Sequence, residues 1–481
     1  MNPMPLIMSL LLLGACSQYK PLNVQASEQK SHVLAAQIKL PAQMSAVTQS
    51  ANNTKNTSPS WWLQFNDALL NTLIQDAWQK NNSLQIASNS LESARALWSY
   101  SKRDRLPHTE ITASQTRQGL TQLQTPPGGN SINTQVQTQF DSQWELDLFG
   151  RLRNQAAFAQ AQAQWAEADL AAVRISVSAE VAAAFVQLRG AQQQLKIAEE
   201  NSTKQGETLA LTQALAKVGR ADALDLARAE AQFQLTKANA QQFNAQINTH
   251  INRLAVLTGN PMNELKQKLS QFKNLPSVPA QFNLGDDQKL ISGRPDIQKA
   301  QQKALAALAN YNVQVADLYP SIQFTGGVGF VASDWNNLGN SGTDTFYFGP
   351  RLRWAAFDLG RVQARIRAAD AQSQAALKQL DETLLIALEE TDNAMVDFGQ
   401  EEQRRNGLQQ AVNASGLAAK AAREKFALGA GDLSTVLDVE RNHLSISAQC
   451  AQSDTQLLLD LIRIYKNLGG SLAQNNIAVN D

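Results

Sequence analysis

The sequence predicts a mainly α-helical protein with a smaller β-barrel part, built from two tandem repeats. Three observations predict this fold class. Residues recur in the same order about 210 positions apart over most of the 481-residue chain. Two proline-free stretches, 151–218 and 361–428, carry apolar residues every three or four positions, which is typical of long packed helices. The segments before them alternate between apolar and polar residues, as strands do when one side faces lipid and the other faces water.

The repeat is supported by dispersed matches rather than by one motif. Gly150-Arg151 recurs as Gly360-Arg361, and Trp144 recurs as Trp354. The same spacing relates five further pairs: Gly219 and Gly429, Asp222 and Asp432, Glu230 and Glu440, Arg253 and Arg463, and Gly259 and Gly469. A constant offset indicates two copies of one unit. The predicted domains are repeat 1 at 61–260, a linker at 261–285, repeat 2 at 286–470 and a tail at 471–481.

Each repeat is predicted to hold two strands followed by two long helices. The expected strands are 109–118, 134–148, 321–332 and 344–357, and the expected helices are 151–218, 222–258, 361–428 and 432–468. Pro350 predicts a bend or bulge in the last strand. An ordinary half-buried sheet is the alternative to a transmembrane barrel. Because an open sheet edge is not tolerated in lipid, four strands per chain require oligomerisation.

The N-terminus is predicted to be a lipoprotein signal. Residues 1–15 form an apolar signal peptide that ends in Leu13-Gly14-Ala15, directly before Cys16. A cysteine after small residues is the acylation site of bacterial lipoproteins, so the mature chain is expected to begin at lipidated Cys16. The polar stretch 16–60 is interpreted as a tether. The alternative is an ordinary cleaved signal followed by an incidental cysteine.

Composition argues against an enzyme and against a nucleic-acid binder. The 42 basic and 42 acidic side chains cancel, whereas nucleic-acid binders normally show a basic excess. Two cysteines and four scattered histidines form no metal-ligand or disulfide pattern. The chain is therefore expected to need no cofactor beyond the covalent lipid.

Five motifs in this order resemble the outer membrane efflux proteins, with a lipoprotein signal like that of the branch serving resistance-nodulation-division pumps. They are Trp61-Trp62-Leu63-Gln64-Phe65-Asn66-Asp67, Trp144 to Arg151, Arg294-Pro295-Asp296-Ile297, Phe357 to Arg361, and Gly429 to Arg441. The resemblance implies a homotrimer with a twelve-stranded barrel in the outer membrane of a Gram-negative bacterium and a periplasmic α-helical barrel. It implies a duct that exports small toxic compounds with a periplasmic adaptor and an inner-membrane transporter.

The same resemblance suggests where the functional residues lie. The hairpin tips would form the periplasmic entrance and the adaptor contacts. Asp438 matches an aspartate that family members project into the entrance, and its alternative role is a solvated or salt-bridged helix surface. Asp222 and Asp432 have helix capping as their alternative role. The candidate entrance residues are Asp438, Asp432, Asp222 and Asp225, and the candidate adaptor contacts are Gly219, Arg220, Gly429 and Gly431.

Two other functions fit the sequence. The same architecture could serve as the outer-membrane duct of a type I protein secretion system. Alternatively, the chain could be a lipid-anchored helical scaffold that never forms a pore. The polar face predicted between Gln135 and Asp147 argues against the scaffold, because a scaffold needs no water-filled lumen.

Overall fold

A computed structural model describes residues 61–121, 123, 132–278 and 293–469. The signal peptide, Cys16, the tether and the C-terminal tail 471–481 lie outside the described residues. A short 3₁₀ turn at Trp61–Phe65 precedes the helices and strands. The helices are α1 (Ala68–Lys80), α2 (Asn82–Arg103), α3 (Arg151–Lys217), α4 (Ala223–Thr258), α5 (Met262–Leu269), α6 (Pro295–Ala316), α7 (Leu359–Ala427) and α8 (Leu433–Asn467), and the strands are β1 (His108–Gly119), β2 (Ile132–Leu146), β3 (Ser321–Ala332) and β4 (Asp344–Arg353).

The described residues divide into two compact units. One unit comprises Ser90–Glu167 and Lys299–Asp381, and it contains all four strands. The other comprises 61–89, 168–298 and 382–469. The 67 residues of α3 and the 69 residues of α7 each contribute to both units, and a helix of this length extends about 100 Å at 1.5 Å per residue.

The strands form one antiparallel sheet in the order β1-β2-β3-β4. Strands β1 and β4 are its two edges. The pairing between β3 and β4 is continuous from Ser321 opposite Arg353 to Phe330 opposite Asp344. The bulge predicted at Pro350 is therefore wrong: Pro350 lies directly opposite Phe324 without an extra residue. An edge strand has one unpaired side, which is where proline is tolerated.

A tryptophan near the end of the second strand of each repeat bonds to the segment that follows the preceding helix. Trp144 donates its indole N–H to the backbone oxygen of Arg105 at 3.0 Å, and Trp354 donates to that of Leu318 at 3.0 Å. Strand β4 ends at Arg353 rather than at residue 357, because the chain turns there into α7. Strand β2 ends at Leu146 rather than at residue 148.

Asp147 explains the early end of β2. Its carboxylate accepts hydrogen bonds from the backbone N–H of Leu152 at 3.0 Å and of Arg153 at 2.9 Å. These are free donors in the first turn of α3, so Asp147 caps the helix instead of continuing the strand.

Two glycines in β3 make room for neighbouring strands. A Cβ on Gly327 would lie 2.6 Å from Asp141 Oδ1 and 2.6 Å from the ring of Tyr347. Tyr347 therefore reaches across Gly327 and donates its hydroxyl to Asp141 at 2.7 Å. A Cβ on Gly329 would lie 2.2 Å from the backbone oxygen of Thr138, where a side chain cannot fit.

The second unit has an aromatic core at the N-terminal end of the described chain. Trp61 stacks on Tyr465 with ring centroids 5.2 Å apart, and Trp62 meets Trp78 edge to face at 5.2 Å. Burial raises the pKa of Tyr465 to about 12, and its hydroxyl donates to Gln64 at 2.7 Å. The Trp61-Trp62 motif therefore anchors the start of the chain against α8.

Helices α2 and α6 begin in the same way, because the residue before each one donates a side-chain hydrogen bond to a backbone oxygen near the end of a long helix of its own repeat. The buried side-chain amide of Asn81 donates to the backbone oxygen of Leu257 at 2.8 Å, near the end of α4. Arg294 donates to the backbone oxygen of Asn467 at 2.8 Å, at the end of α8. The segment predicted as a linker at 261–285 contains helix α5, which buries Leu265 and Leu269. Helix α5 has only eight residues, and a helix this short has too few apolar positions for its period to be recognised in the sequence.

Candidate functional site

The two hairpin tips are built alike. Helix α3 ends at Lys217 and the backbone reverses through Gly219 at φ 73°; helix α7 ends at Ala427 and reverses through Gly429 at φ 74°. Both values lie in the left-handed region that glycine adopts without steric cost. In each tip the glycine N–H donates back to the preceding helix, to Ala216 at 3.0 Å and to Phe426 at 2.9 Å.

Asp222 and Asp432 are helix N-caps. Asp222 accepts a hydrogen bond from the backbone N–H of Asp225 at 2.8 Å, and Asp432 accepts one from that of Thr435 at 2.8 Å. Hydrogen bonds from Ser434 and Thr435 hold the pKa of Asp432 below its ordinary value. Within one chain, Asp222 and Asp432 therefore cap helices, which is the alternative role that the sequence analysis gave them.

The two tips contact each other through Arg220. A Cβ on Gly429 would lie 2.9 Å from the guanidinium Nη2 of Arg220, so the arginine of the first tip covers the glycine of the second. An apolar cluster supports this arrangement beneath the turns. Its buried members are Leu209, Ala229 and Leu433, and Phe426 packs against them.

Asp438 lies on the exposed surface of α8, one to two turns beyond the cap. Its carboxylate pairs with Arg441, one helical turn later, at 2.8 Å, and both side chains are about two-thirds exposed. The sequence analysis gave a salt-bridged helix surface as the alternative role of Asp438, but it did not name Arg441 as the partner. The three-residue spacing between an acid and a base on one helix is the signal that would have found it.

A buried carboxylate near the tips joins three helices. Glu440 of α8 is only 4% exposed; it accepts a hydrogen bond from Gln205 of α3 at 2.8 Å and a short one from Arg423 of α7. Its repeat counterpart Glu230 is exposed and accepts a hydrogen bond from Gln234 of its own helix. The repeat singled out Glu440 in the sequence. Its partners Gln205 and Arg423 could not be predicted, because nothing in the sequence near Glu440 indicates them.

The sheet presents one strongly polar face. Because side chains alternate along a strand, the register places the odd-numbered residues of β2, β3 and β4 and the even-numbered residues of β1 on the same face. Charged or aromatic-polar members of this face include His108, Glu110, Asp141, Glu145, Tyr347, Arg351 and Arg353. The opposite face carries exposed apolar groups, among them Phe140, Val328, Phe346 and Phe348. This is the two-sided pattern of a membrane strand with a wet lumen.

A cavity of about 300 Å³ lies at the base of the strands and is lined by paired charges. Arg151 binds Glu145 through two hydrogen bonds of 2.9 and 2.7 Å, and the hydrogen bond to Glu145 raises the pKa of Arg151 above its ordinary value. Arg365 pairs with Asp317 at 3.1 Å. Within the described ranges, no group of His, Cys, Asp or Glu side chains is arranged to hold a metal ion. None of the helices in those ranges is both long and apolar enough to cross a membrane.

A family model described as "Outer membrane efflux protein" matches residues 73–260 and again residues 288–470. The chain belongs to this family. As an outer membrane efflux protein it is a transport channel of the outer membrane, with a large helical part in the periplasm. The predicted family, fold class, location and efflux function are confirmed.

Several relatives are named for their part in efflux. The chain is 28% identical over 415 residues to the solvent efflux pump outer membrane protein SrpC of Pseudomonas putida, covering 85% of this chain and 87% of the relative. The same values hold for the toluene efflux pump outer membrane protein TtgI of the same species. Among solved structures, the outer-membrane channel OprN matches with a TM-score of 0.82 and 36% identity, covering 88% of this chain and 95% of that one.

Proposed function

We propose that three copies of this chain form the exit duct of a tripartite pump that expels small toxic compounds. The observation that carries the proposal is the four-stranded sheet with two unpaired edges, one polar face and one apolar face, continuous in sequence with helices of 67 and 69 residues. Such a sheet must close with other copies in lipid, and its polar face then lines the lumen. The names of the relatives support solvents and similar small apolar compounds as cargo.

The hairpin tips are proposed to bind a periplasmic adaptor, which connects the duct to an inner-membrane transporter. Gly219 has open space around the position of a Cβ, so its backbone is accessible to another protein. Lysine at Gly219 or Gly429 should abolish export while trimers remain intact, because a long charged side chain blocks close backbone approach. The matched control is Gly339→Lys between β3 and β4, which also has a positive φ and open space; full export by both tip variants would contradict adaptor docking there.

Asp438 is proposed to line the periplasmic entrance as a ring of three carboxylates, with Asp432, Asp222 and Asp225 contributing negative charge nearby. Its exposure on α8 and its distance from the cap position support this role. A ring of carboxylates around a narrow opening concentrates cations.

Cys16 is proposed to carry the covalent lipid that anchors the mature N-terminus to the outer membrane. The support is the apolar run that ends in Leu13-Gly14-Ala15. Mass spectrometry of the N-terminal peptide of the native protein tests this proposal. An unmodified residue at the start of the mature chain would contradict it.

Deletion of the gene in its own host tests the proposed cargo. Cells without the chain should become sensitive to toluene and to apolar antibiotics and should accumulate more of them. Secretion of large proteins into the medium should be unchanged, which separates the pump from a type I secretion duct. Normal resistance together with lost protein secretion would favour the secretion alternative.

A further inference from the structure

The apolar face of the sheet carries charge at one end only. The register places the odd-numbered residues of β1 and the even-numbered residues of β2, β3 and β4 on this face. Among the strand residues of this face, only Arg117 of β1 and Asp344 of β4 are charged, and both are exposed. Both lie at the end of the sheet remote from the helices, because β1 runs away from α2 and β4 runs towards α7.

Arg117 lies at the level expected for the outer surface of the membrane. The strands join the helices at their base, and the helical part is periplasmic, so the other end of the sheet points outwards. Arg117 comes nine residues after His108, the first residue of β1, which is about 30 Å along a strand. At a tilt of about 35–45° this is roughly 22–25 Å above the base, close to the height of the apolar band of a membrane barrel. A charge on the lipid face costs little at that level.

A tryptophan from the loop after β3 lies on the same face near Arg117. Trp335 follows the last residue of β3 by three positions and donates its indole N–H to the side chain of Gln115 in β1 at 2.8 Å. Because β2 lies between β1 and β3, the indole crosses β2 to reach Gln115. Val136 of β2 lies directly opposite Gln115 and is fully buried, as expected beneath such a ring. The indole itself remains 52% exposed.

The turn that carries Trp335 is ordered by its own hydrogen bonds. The carboxylate of Asp334 accepts hydrogen bonds from the backbone N–H of Asn336 at 3.0 Å and of Asn337 at 3.1 Å. Together with the hydrogen bond to Gln115, these contacts fix the indole two residues along β1 from Arg117, a distance of about 7 Å. A ring that is already held in place loses little conformational entropy when a ligand binds against it.

The charge of Arg117 is not balanced within one chain. Among the described residues, Arg117 has no acidic partner. The other charged residue of the face, Asp344, lies on the opposite edge strand, three strands or about 14 Å away. The outer end of β1 therefore presents a free guanidinium beside a half-exposed aromatic ring, above a surface of exposed apolar side chains such as Phe140 and Val328.

We propose that Arg117 and Trp335 bind a phosphorylated glycolipid of the outer leaflet, with a phosphate on Arg117 and a sugar ring against Trp335. This inference rests on the proposed orientation of the sheet in the membrane. The outer leaflet of a Gram-negative outer membrane consists largely of lipopolysaccharide, whose glucosamine headgroup carries phosphates at the membrane surface. A guanidinium binds a phosphate through two parallel hydrogen bonds, and tryptophan at an interface lies at headgroup level. The acyl chains then cover the apolar side chains below.

Native mass spectrometry of the unmodified protein tests the ligand. Delipidated trimers in detergent are titrated with lipid A that carries both phosphates, with the same lipid after its phosphates have been removed, and with inorganic phosphate. We expect the phosphorylated lipid to bind about tenfold more tightly than the dephosphorylated lipid, and inorganic phosphate to give no adduct. Equal binding of the two lipids would overturn the phosphate contact. Binding of inorganic phosphate as tight as that of the lipid would overturn the glycolipid as its source.

Three variants test the two side chains. Arg117→Gln should lose the preference for the phosphorylated lipid, whereas Trp335→Ala should weaken the binding of both lipids by a similar factor and keep the preference. The matched control is Arg351→Gln, an exposed arginine on the polar face of β4, which should bind like the unmodified protein. An Arg117→Gln variant that keeps the full preference would overturn the site, as would an equal loss in Arg351→Gln.

An ion pair with Asp344 of the partner subunit is the alternative role of Arg117. Asp344→Asn should then lower the temperature at which trimers dissociate as much as Arg117→Gln does, and Arg117→Gln should leave lipid binding unchanged; that result would overturn the lipid site. Under our proposal Asp344→Asn leaves lipid binding unchanged or tighter. Bilayer recording separates the two levels: trimers that conduct but show no phosphate preference contradict only the lipid site, whereas a protein that never inserts contradicts the proposed function.

Discussion

Arg294 links the start of α6 to the middle of α7 and to the end of α8. It is 5% exposed, precedes the first residue of α6, and donates to the backbone oxygens of Ala387 in α7 and of Asn467 at the end of α8. Burial alone would lower the pKa of Arg294, but hydrogen bonds and charge from Asp296 and Glu390 outweigh it, and the pKa is raised above its ordinary value. The guanidinium therefore remains charged where it meets the C-terminal carbonyl of α8 at Asn467, which favours a cation.

Replacing Arg294 by methionine should lower the free energy of unfolding by about 2–4 kcal/mol, because buried carbonyl oxygens lose their donors. Lysine at this position should recover part of the loss, since it keeps the charge but not the fork of donors. The matched control is Arg361→Met, whose side chain is 85% exposed. Thermal unfolding of the detergent-solubilised protein measures all three, and equal melting temperatures for Arg294→Met and Arg361→Met would contradict this role.

Asp438 and Arg441 should shift ion selectivity in opposite directions. If Asp438 lines the entrance, Asp438→Asn removes negative charge and should reduce the preference for cations. Arg441→Gln removes the neighbouring positive charge, which lies 2.8 Å from the carboxylate, and should increase that preference. Reversal potentials in a salt gradient across a planar bilayer measure both. Unchanged potentials for both variants would leave the pair as an ordinary surface ion pair.

The cap at Asp432 should depend on pH in a defined direction. The pKa of Asp432 is lower in the folded protein than in the unfolded chain. The carboxylate therefore stabilises the fold fully at any pH above the ordinary pKa of an unfolded aspartate, which is about 3.9. The effect is lost as the pH falls through the lower folded pKa. At pH 7, Asp432→Ala should therefore speed amide exchange at the start of α8, including Thr435, while Asp432→Asn should change it less. Hydrogen exchange that is equally fast in all three proteins at pH 7 would contradict the capping role.

At the scale of an element, strand β3 depends on glycine because neighbouring strands occupy the space of a side chain. Gly329→Ala would force a methyl group against the backbone of Thr138, so we expect it to prevent correct sheet assembly and to reduce trimers in the outer membrane. Gly349→Ala in β4 is the control, since nothing lies within 4 Å of its Cβ position. Gel analysis of heat-modifiable trimers in isolated membranes measures both; normal trimer levels for Gly329→Ala would show that the sheet adjusts.

Element positions could be predicted from the sequence where the pattern is long or repeated. The long helices have an uninterrupted apolar spacing, and the glycine turns at Gly219 and Gly429 are marked by the repeat. The bulge at Pro350 was predicted wrongly because its place on an edge strand was unknown. Helix α5 was missed because eight residues carry too few apolar positions to establish a period.

At the scale of the whole molecule, tertiary partners limit what the sequence can predict. Glu440 and Gln205 are 235 residues apart, and nothing local to either one indicates their hydrogen bond. The entrance residues came from a resemblance to a family, whereas the Arg441 pair and the contact of Arg220 with Gly429 came only from the structure. Charge and alternation along β2 nevertheless indicated a polar face before the sheet was known.

The most direct test of the central claim, that this chain forms a water-filled duct through a membrane, is single-channel recording. Purified protein, first shown to be trimeric by light scattering, is reconstituted into a planar lipid bilayer and held at a series of voltages. We expect discrete current steps with a preference for cations, because the polar face of the sheet is proposed to line the lumen and carboxylates are proposed to surround the entrance. Trimers that insert stably into the bilayer but give no current steps at any voltage would contradict a water-filled duct.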